Sequence, residues 1–123
     1  MRFEEISTAH LIEWGGIEGY PPDERITGFA ARQDGGELVA LAMAYLDENA
    51  VWRAAFARRP GCTAGVHHEV KRSLEQVFAA GVEQIIADAD PTVKRSADYL
   101  RWLGFVPRDD DSGEWVLWRS SLI

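Results

Sequence analysis

The order of periodic segments predicts an α+β fold, a mixed α/β sandwich in which helices lie on the faces of one central mixed sheet. Three observations carry this reading. Residues 26–58 hold three successive strand-like runs joined by short polar turns, which is an antiparallel meander. Residues 63–89 pass from a helical period to a strand period, as in a single β-α-β crossover. Residues 105–119 close the chain with a second hairpin.

Taken in order, residues 1–6 alternate weakly as a short strand, and Ser7 is placed to cap a brief helix that Gly15 and Gly16 stop. Glu18, Gly19, Tyr20, Pro21 and Pro22 form a loop. Residues 26–32 and 38–46 are strands turned by Asp34-Gly35, and Asp47-Glu48-Asn49 leads into a third strand over 51–58. Val66, Val70, Leu74, Val77 and Phe78 recur at helical spacing, so a helix runs over about 63–80 and Gly81 ends it. A strand follows at 82–89. Asp90-Pro91 reads as an N-cap with proline at the first helical position, and Val93, Ala97, Leu100 and Leu103 form the next apolar stripe, ended by Gly104. Strands at 105–108 and 115–119 flank the acidic turn at Asp109, Asp110 and Asp111. The resulting order is β-α-β-β-β-α-β-α-β-β. Its core should include Phe56, Leu74, Phe78, Ile86, Leu100, Leu103 and Phe105, with Trp52, Trp102 and Trp115 on strand or helix faces, in the core or partly buried.

Chain length points to one domain over 1–123, because 123 residues match one hydrophobic core. Apolar residues at 46% and charged residues at 27% exclude disordered and fibrous compositions. The longest apolar run, 38–46, is far short of the roughly 20 residues a membrane helix needs. Acids at Glu4 and Glu5 do not fit a secretory signal, and the one cysteine, Cys62, cannot form an internal disulfide, so a cytoplasmic location is expected. A net charge of −7 repels phosphate backbones, which disfavours nucleic acid and anionic membranes as partners.

Chemistry concentrates at the strand-to-helix junction Arg58-Arg59-Pro60-Gly61-Cys62-Thr63-Ala64-Gly65. Two cations, two glycines and a helix start coincide there, which is what an anionic phosphate group requires; the plain alternative is a glycine loop with solvated arginines. His67 and His68 are neighbours pointing about 100° apart on a helix, so they do not chelate one metal, and no metal is expected. Asp88, at the C-terminal end of a central strand, is a candidate general base. Trp14 and Tyr20 could line an acceptor pocket, or Trp14 could anchor a packed loop.

Two motifs and the element order resemble the GCN5-related N-acetyltransferase (GNAT) superfamily over nearly the whole chain. Arg58-Arg59-Pro60-Gly61-Cys62-Thr63 is similar to the family loop [Arg/Gln]-x-x-Gly-x-[Gly/Ala], with Thr63 where a second small residue is usual. Residues 93–105 are similar to Asn-x-x-Ala-x-x-x-Tyr-x-x-Leu-Gly-Phe: Ser96, Leu103, Gly104 and Phe105 fit, Val93 replaces asparagine and Leu100 replaces tyrosine. Tyr99 lies one position away, about 100° around the helix.

The resemblance implies that Arg58, Arg59, Gly61, Cys62, Thr63, Ala64 and Gly65 hold the pyrophosphate of acetyl-coenzyme A, and that a backbone N–H of strand 51–58 polarises the thioester carbonyl. The implied reaction is acetyl transfer to an amine, with Asp88 or Glu18 as the candidate base. Leu100 at the family's acid position cannot protonate a thiolate, and Tyr99, the remaining catalytic candidate, is a poor substitute one position away, so general-acid assistance is expected to be missing. Trp14, Glu18 and Tyr20 would meet the acceptor, a small-molecule or protein amine, cationic by preference against this acidic chain. A homodimer is compatible with the reading. The alternative is a catalytically silent GNAT-like binding, structural or phage accessory protein.

Overall fold

The structure, a computed structural model, describes residues 1–15, 26–89, 95–108 and 113–122. Strand β1 (Arg2–Glu5) and helix α1 (Thr8–Gly15) come first, then strands β2 (Ile26–Arg32), β3 (Leu38–Leu46) and β4 (Trp52–Arg58). Helix α2 (Ala64–Ala79) leads to β5 (Gln84–Asp88), followed by helix α3 (Ser96–Leu103), β6 (Val106–Pro107) and β7 (Glu114–Trp118). The element order is the one expected from the sequence. A 3-10 turn at Arg119–Leu122, which periodicity did not announce, shortens the last strand by taking Arg119.

All seven strands form one sheet in the order β1-β2-β3-β4-β5-β7-β6. Every neighbouring pair is antiparallel except β4 and β5, which run parallel across the α2 crossover. Turn chemistry sets the meander. Gly36 N–H bonds the Gln33 carbonyl at 2.8 Å, and the Asp47 carboxylate accepts from the Asn49 and Val51 amides at 2.8 and 2.9 Å.

β3 is apolar along its length because both of its faces are covered. Ala40, Ala42 and Ala44 lie under α2 together with Ala31 and Ala54, and these small side chains let the helix sit close to the sheet. Leu38, Leu41 and Met43 face the other way, against Ile6 and Leu11 at α1. The α2 stripe Val66, Val70, Leu74, Val77 and Phe78 is buried as its spacing required. Leu100 and Leu103 of α3 are buried against the same core beside Ile85, Ala87, Trp115 and Leu117, each leucine adding roughly 1.5–3 kcal/mol of transfer free energy. Gly104, at φ 103°, ends α3: its N–H bonds the Arg101 carbonyl and the next amide, of Phe105, bonds the Leu100 carbonyl, a left-handed cap that glycine adopts without strain.

Several expectations are corrected. Trp102 stands on the outer side of α3 with 47% of its surface exposed, because the buried stripe of that short helix is already filled by Leu100 and Leu103. Phe56, expected in the core, is only partly buried against it, whereas Trp52 is partly buried, as expected. α3 begins at Ser96, behind Arg95 in a left-handed conformation, and β5 is two residues shorter at its start than 82–89. The Asp90-Pro91 cap, Val93, Glu18, Tyr20 and the Asp109 to Asp111 turn lie outside the described residues. Among the described residues no helix is long and apolar enough to cross a membrane.

Candidate functional site

The parallel β4–β5 contact is a seam held at one point. Arg53 and Ile86 are its one paired register, whereas all of β4 pairs with β3 and all of β5 with β7. Residues Ala54 to Arg58 therefore have a ladder partner on one side only, and the sheet opens between the C-terminal halves of β4 and β5. α2 starts directly beyond that opening.

The junction after β4 is built to expose backbone donors. Gly61 takes φ 100°, a left-handed conformation that favours glycine; a Cβ there would stand 3.0 Å from the end of the flexible Gln33 side chain, which could give way. Thr63 is extended and occupies the N-cap position of α2, yet its side chain makes no capping bond and instead points its hydroxyl at the Met1 sulfur, 3.6 Å away. Val66 N–H bonds the Thr63 carbonyl; among the described residues the Ala64 and Gly65 amides meet no protein acceptor. A sixteen-residue helix thus presents its positive end with two amides open beside the seam.

The two arginines part company. Along β4 successive side chains alternate, so Arg58 shares the face of Ala54 and Phe56 under α2, and Arg59 turns to the opposite face. Arg59 lies over the Trp14 ring at 3.9 Å and donates to the Trp14 carbonyl, which ties α1 to the end of β4. Trp14 is thereby a packing anchor for Arg59. Arg58 is exposed and pairs with no carboxylate among the described residues. Its charge acts on Cys62, His67 and Tyr99.

Tyr99 sits at the centre of the remaining side chains. Its hydroxyl is 3.0 Å from His67 Nδ1, its ring meets Phe56 edge-on at 6.0 Å, and Trp102 stacks on it at 5.9 Å and 17°. Lys71 caps the Trp102 ring at 4.0 Å. Burial, with a smaller push from Cys62 and against a pull from Arg58, raises the Tyr99 phenol to about 12, so it is a protonated donor at neutral pH. Burial, then Arg58 and His68, push the His67 imidazole below its ordinary value, so it is neutral. Burial also pushes the Cys62 thiol up, which makes it a poor nucleophile.

Leu100, which holds the motif position, is buried in the core at 3% exposure. The helix register thus turns Leu100 inward and Tyr99 toward the junction, the reverse of what the motif alignment implied. Asp88 is on the other face: Ile85 and Ala87 belong to the core under α2 and α3, so Asp88 projects opposite them and reaches Arg53 at 3.9 Å. Arg53 also binds Asp47 at 2.8 Å and Glu114 at 3.0 Å, forming a charged hub beneath the seam.

Of the residues expected at a site, Arg58, Gly61, Cys62, Thr63, Ala64, Gly65 and Tyr99 are gathered at one place. Arg59, Trp14 and Asp88 are on the other face, and Glu18 and Tyr20 lie outside the described residues. Sequence reasoning missed Phe56, Trp102 and Lys71 as site residues, and it weighed His67 only as a metal ligand. Their signal was the spacing of four between His67 and Lys71 and of three between Tyr99 and Trp102, which marks one strip on each helix.

This sheet, opened beside the start of the crossover helix, defines the class of fold. The chain has the GNAT fold, that of the GCN5-related N-acetyltransferases. Spermidine/spermine N-acetyltransferase SpeG from Vibrio cholerae superposes with a TM-score of 0.69 at 10% identity, over 98% of this chain and 94% of that one. Aminoglycoside acetyltransferase AAC(6')-Ib with paromomycin and acetyl-coenzyme A gives a TM-score of 0.58 at 16% identity, over 98% and 94%. The same enzyme with coenzyme A and kanamycin gives 0.54 at 17% identity, over 80% and 70%. No family model and no curated protein sequence matches the chain.

Proposed function

We propose that the chain is an acetyl-coenzyme A-dependent N-acetyltransferase acting on a cationic amine. The observation that carries this reading is the uncapped start of α2 beside the open β4–β5 seam, with Arg58 on the same face. Acetyl-coenzyme A supplies an acetyl group activated as a thioester. The residues present suit it: the Ala64 and Gly65 amides and Arg58 would be donors for a pyrophosphate, and Gly61, at φ 100°, supplies the left-handed turn that carries the chain from β4 toward α2.

The remaining work falls to the chain. An unpaired β4 amide on the seam side would polarise the acyl oxygen, and the seam would hold donor and acceptor in line. Tyr99 carries a proton at neutral pH and lies on the α2–α3 face, where it would protonate the departing sulfur. Asp88, 67% exposed on the opposite face, would take the proton of the incoming amine, directly or through water. Acid and base on two sides of one seam suit direct acyl transfer, in which the amine would add to the thioester carbon, giving up its proton on the Asp88 side, and the thiol would leave protonated on the Tyr99 side. Cys62 is left out of the chemistry because its thiol stays protonated.

SpeG and AAC(6')-Ib are, by their descriptions, acetyltransferases of spermidine and aminoglycosides, both polycationic amines, and a net charge of −7 favours the same class here. Calorimetric titration with coenzyme A followed by a turnover assay with spermidine, kanamycin and a lysine peptide tests the reading. Coenzyme binding with acetylation of at least one amine is the expected result. Binding without turnover of any amine would support the silent GNAT-like module, and absence of binding would overturn the proposal.

A further inference from the structure

We infer that His67 is a positioning residue for Tyr99, fixing through a hydrogen bond to the phenolic oxygen the direction in which the Tyr99 proton is delivered. This role rests on the acetyl-transfer reading of the seam. His67 belongs to the first two turns of α2 and Tyr99 to α3, so the 3.0 Å contact joins the two helices that flank the seam. The rings meet edge-on at 5.2 Å, and Trp102 closes on both, 6.0 Å from His67 and stacked on Tyr99. With Phe56 on a third side, the phenol has little freedom to swing away.

A neutral imidazole carries one N–H, and which nitrogen holds it decides what Tyr99 can do. If Nδ1 were bare it would accept the phenolic hydrogen, turning the proton of Tyr99 away from the seam. If Nδ1 carries the hydrogen it donates to the phenolic oxygen, and the phenolic O–H is free to point into the opening. In that state the transfer balances: the Tyr99 O–H bond breaks, an S–H bond forms on the leaving thiolate, and the phenolate left behind keeps the Nδ1–H bond. Water then restores the phenolic proton, matching the one that the acceptor amine has lost to solvent.

The surroundings keep the imidazole neutral, as either arrangement requires. Arg58 from β4 and His68 from α2 disfavour a second proton on His67, and Cys62 in the intervening loop is a neutral thiol. Lys71 is held away over the outer face of Trp102. The same Arg58 charge would stabilise a transient phenolate on Tyr99.

Two measurements test the role. Nitrogen NMR of the imidazoles in the parent chain, with His67 assigned by comparison with His67→Asn, should show His67 protonated at Nδ1; protonation at Nε2 alone would overturn the inference whether or not the chain is active. In steady-state assays His67→Ala should lower kcat about 100-fold with the KM for acetyl-coenzyme A unchanged, as for a misplaced reacting group. His67→Asn, whose amide nitrogen falls near the Nδ1 position, should recover most of the loss, and His67→Gln should not. In a Tyr99→Phe background His67→Ala should have no further effect. Equal losses for the Asn and Gln variants, or additive losses with Tyr99→Phe, would overturn the positioning role. An inactive parent chain would instead overturn the acetyl-transfer reading on which the role depends.

Discussion

Arg58 and Arg59 are adjacent in the chain and serve opposite faces of the sheet. One faces the opening beneath α2, where its charge acts on Tyr99 and His67, while the other is folded onto Trp14 of α1. Period-two alternation at the end of β4 is the whole cause.

Because of this division, Arg58→Ala should weaken coenzyme A binding by roughly 1–3 kcal/mol, the worth of a charge-assisted phosphate bond. Arg59→Ala should leave that affinity within error and lower thermal stability instead, through loss of the contact with Trp14. Calorimetry and thermal melts on the two variants would separate them; equal losses of affinity would show that both arginines reach the ligand.

Tyr99→Phe should reduce kcat by about 10²- to 10⁴-fold without altering coenzyme affinity, the span associated with one general acid. Leu100→Ala, one residue along, should act on folding, at about 2–5 kcal/mol for a buried leucine truncation. Turnover by the Leu100 variant below its unfolding temperature should be close to that of the parent. A Tyr99→Phe enzyme with full activity would remove the phenol from the mechanism.

Cys62→Ser should retain turnover, since the thiol is held protonated by burial and takes no acyl group. Mass spectrometry of the parent chain incubated with acetyl-coenzyme A should find no acetylated Cys62. An acetyl adduct there that forms and decays at the turnover rate would demand a two-step route.

A separate prediction concerns acid. Glu4 accepts from Arg32 Nε at 2.6 Å and contacts His10 Nε2 at 3.1 Å, and these bonds, Arg32 first, lower its carboxyl from the usual 4.5 to about 2. The folded value is the depressed one, so the stabilisation is complete above 4.5 and is lost as pH falls through 2. Denaturant melts of Glu4→Gln and parent should differ by a constant amount above that window and converge below it. A difference that stays flat across the window would mean that the carboxylate is not engaged in solution.

Much of the architecture could be read from the sequence because it is local. The three-four stripe of α2, the turns at Asp34-Gly35 and Asp47, and the uninterrupted apolar run of β3 each announce one element and its buried face. The site was legible only where it is also local, at the junction from Arg58 to Gly65. Tyr99 meets His67 across thirty-two positions of sequence, a contact created by two helices packing side by side. No spacing rule encodes that approach. Trp102 misled for a related reason: its apolar bulk suggests a core position, whereas Lys71 and Tyr99 give it a place on the surface.

The single register pair between Arg53 and Ile86 leaves β4 with an edge inside the sheet. Edges template intermolecular strand pairing, and the outer ones here are short: four residues in β1 and two in β6. The inner edge is shielded by α2 and α3 rather than by a neighbouring strand, so whatever detaches α3 uncovers it. Variants at Leu100 or Leu103 therefore carry a risk beyond lost stability: partial opening would expose an apolar, half-paired strand, and such chains should aggregate at temperatures where the parent merely breathes.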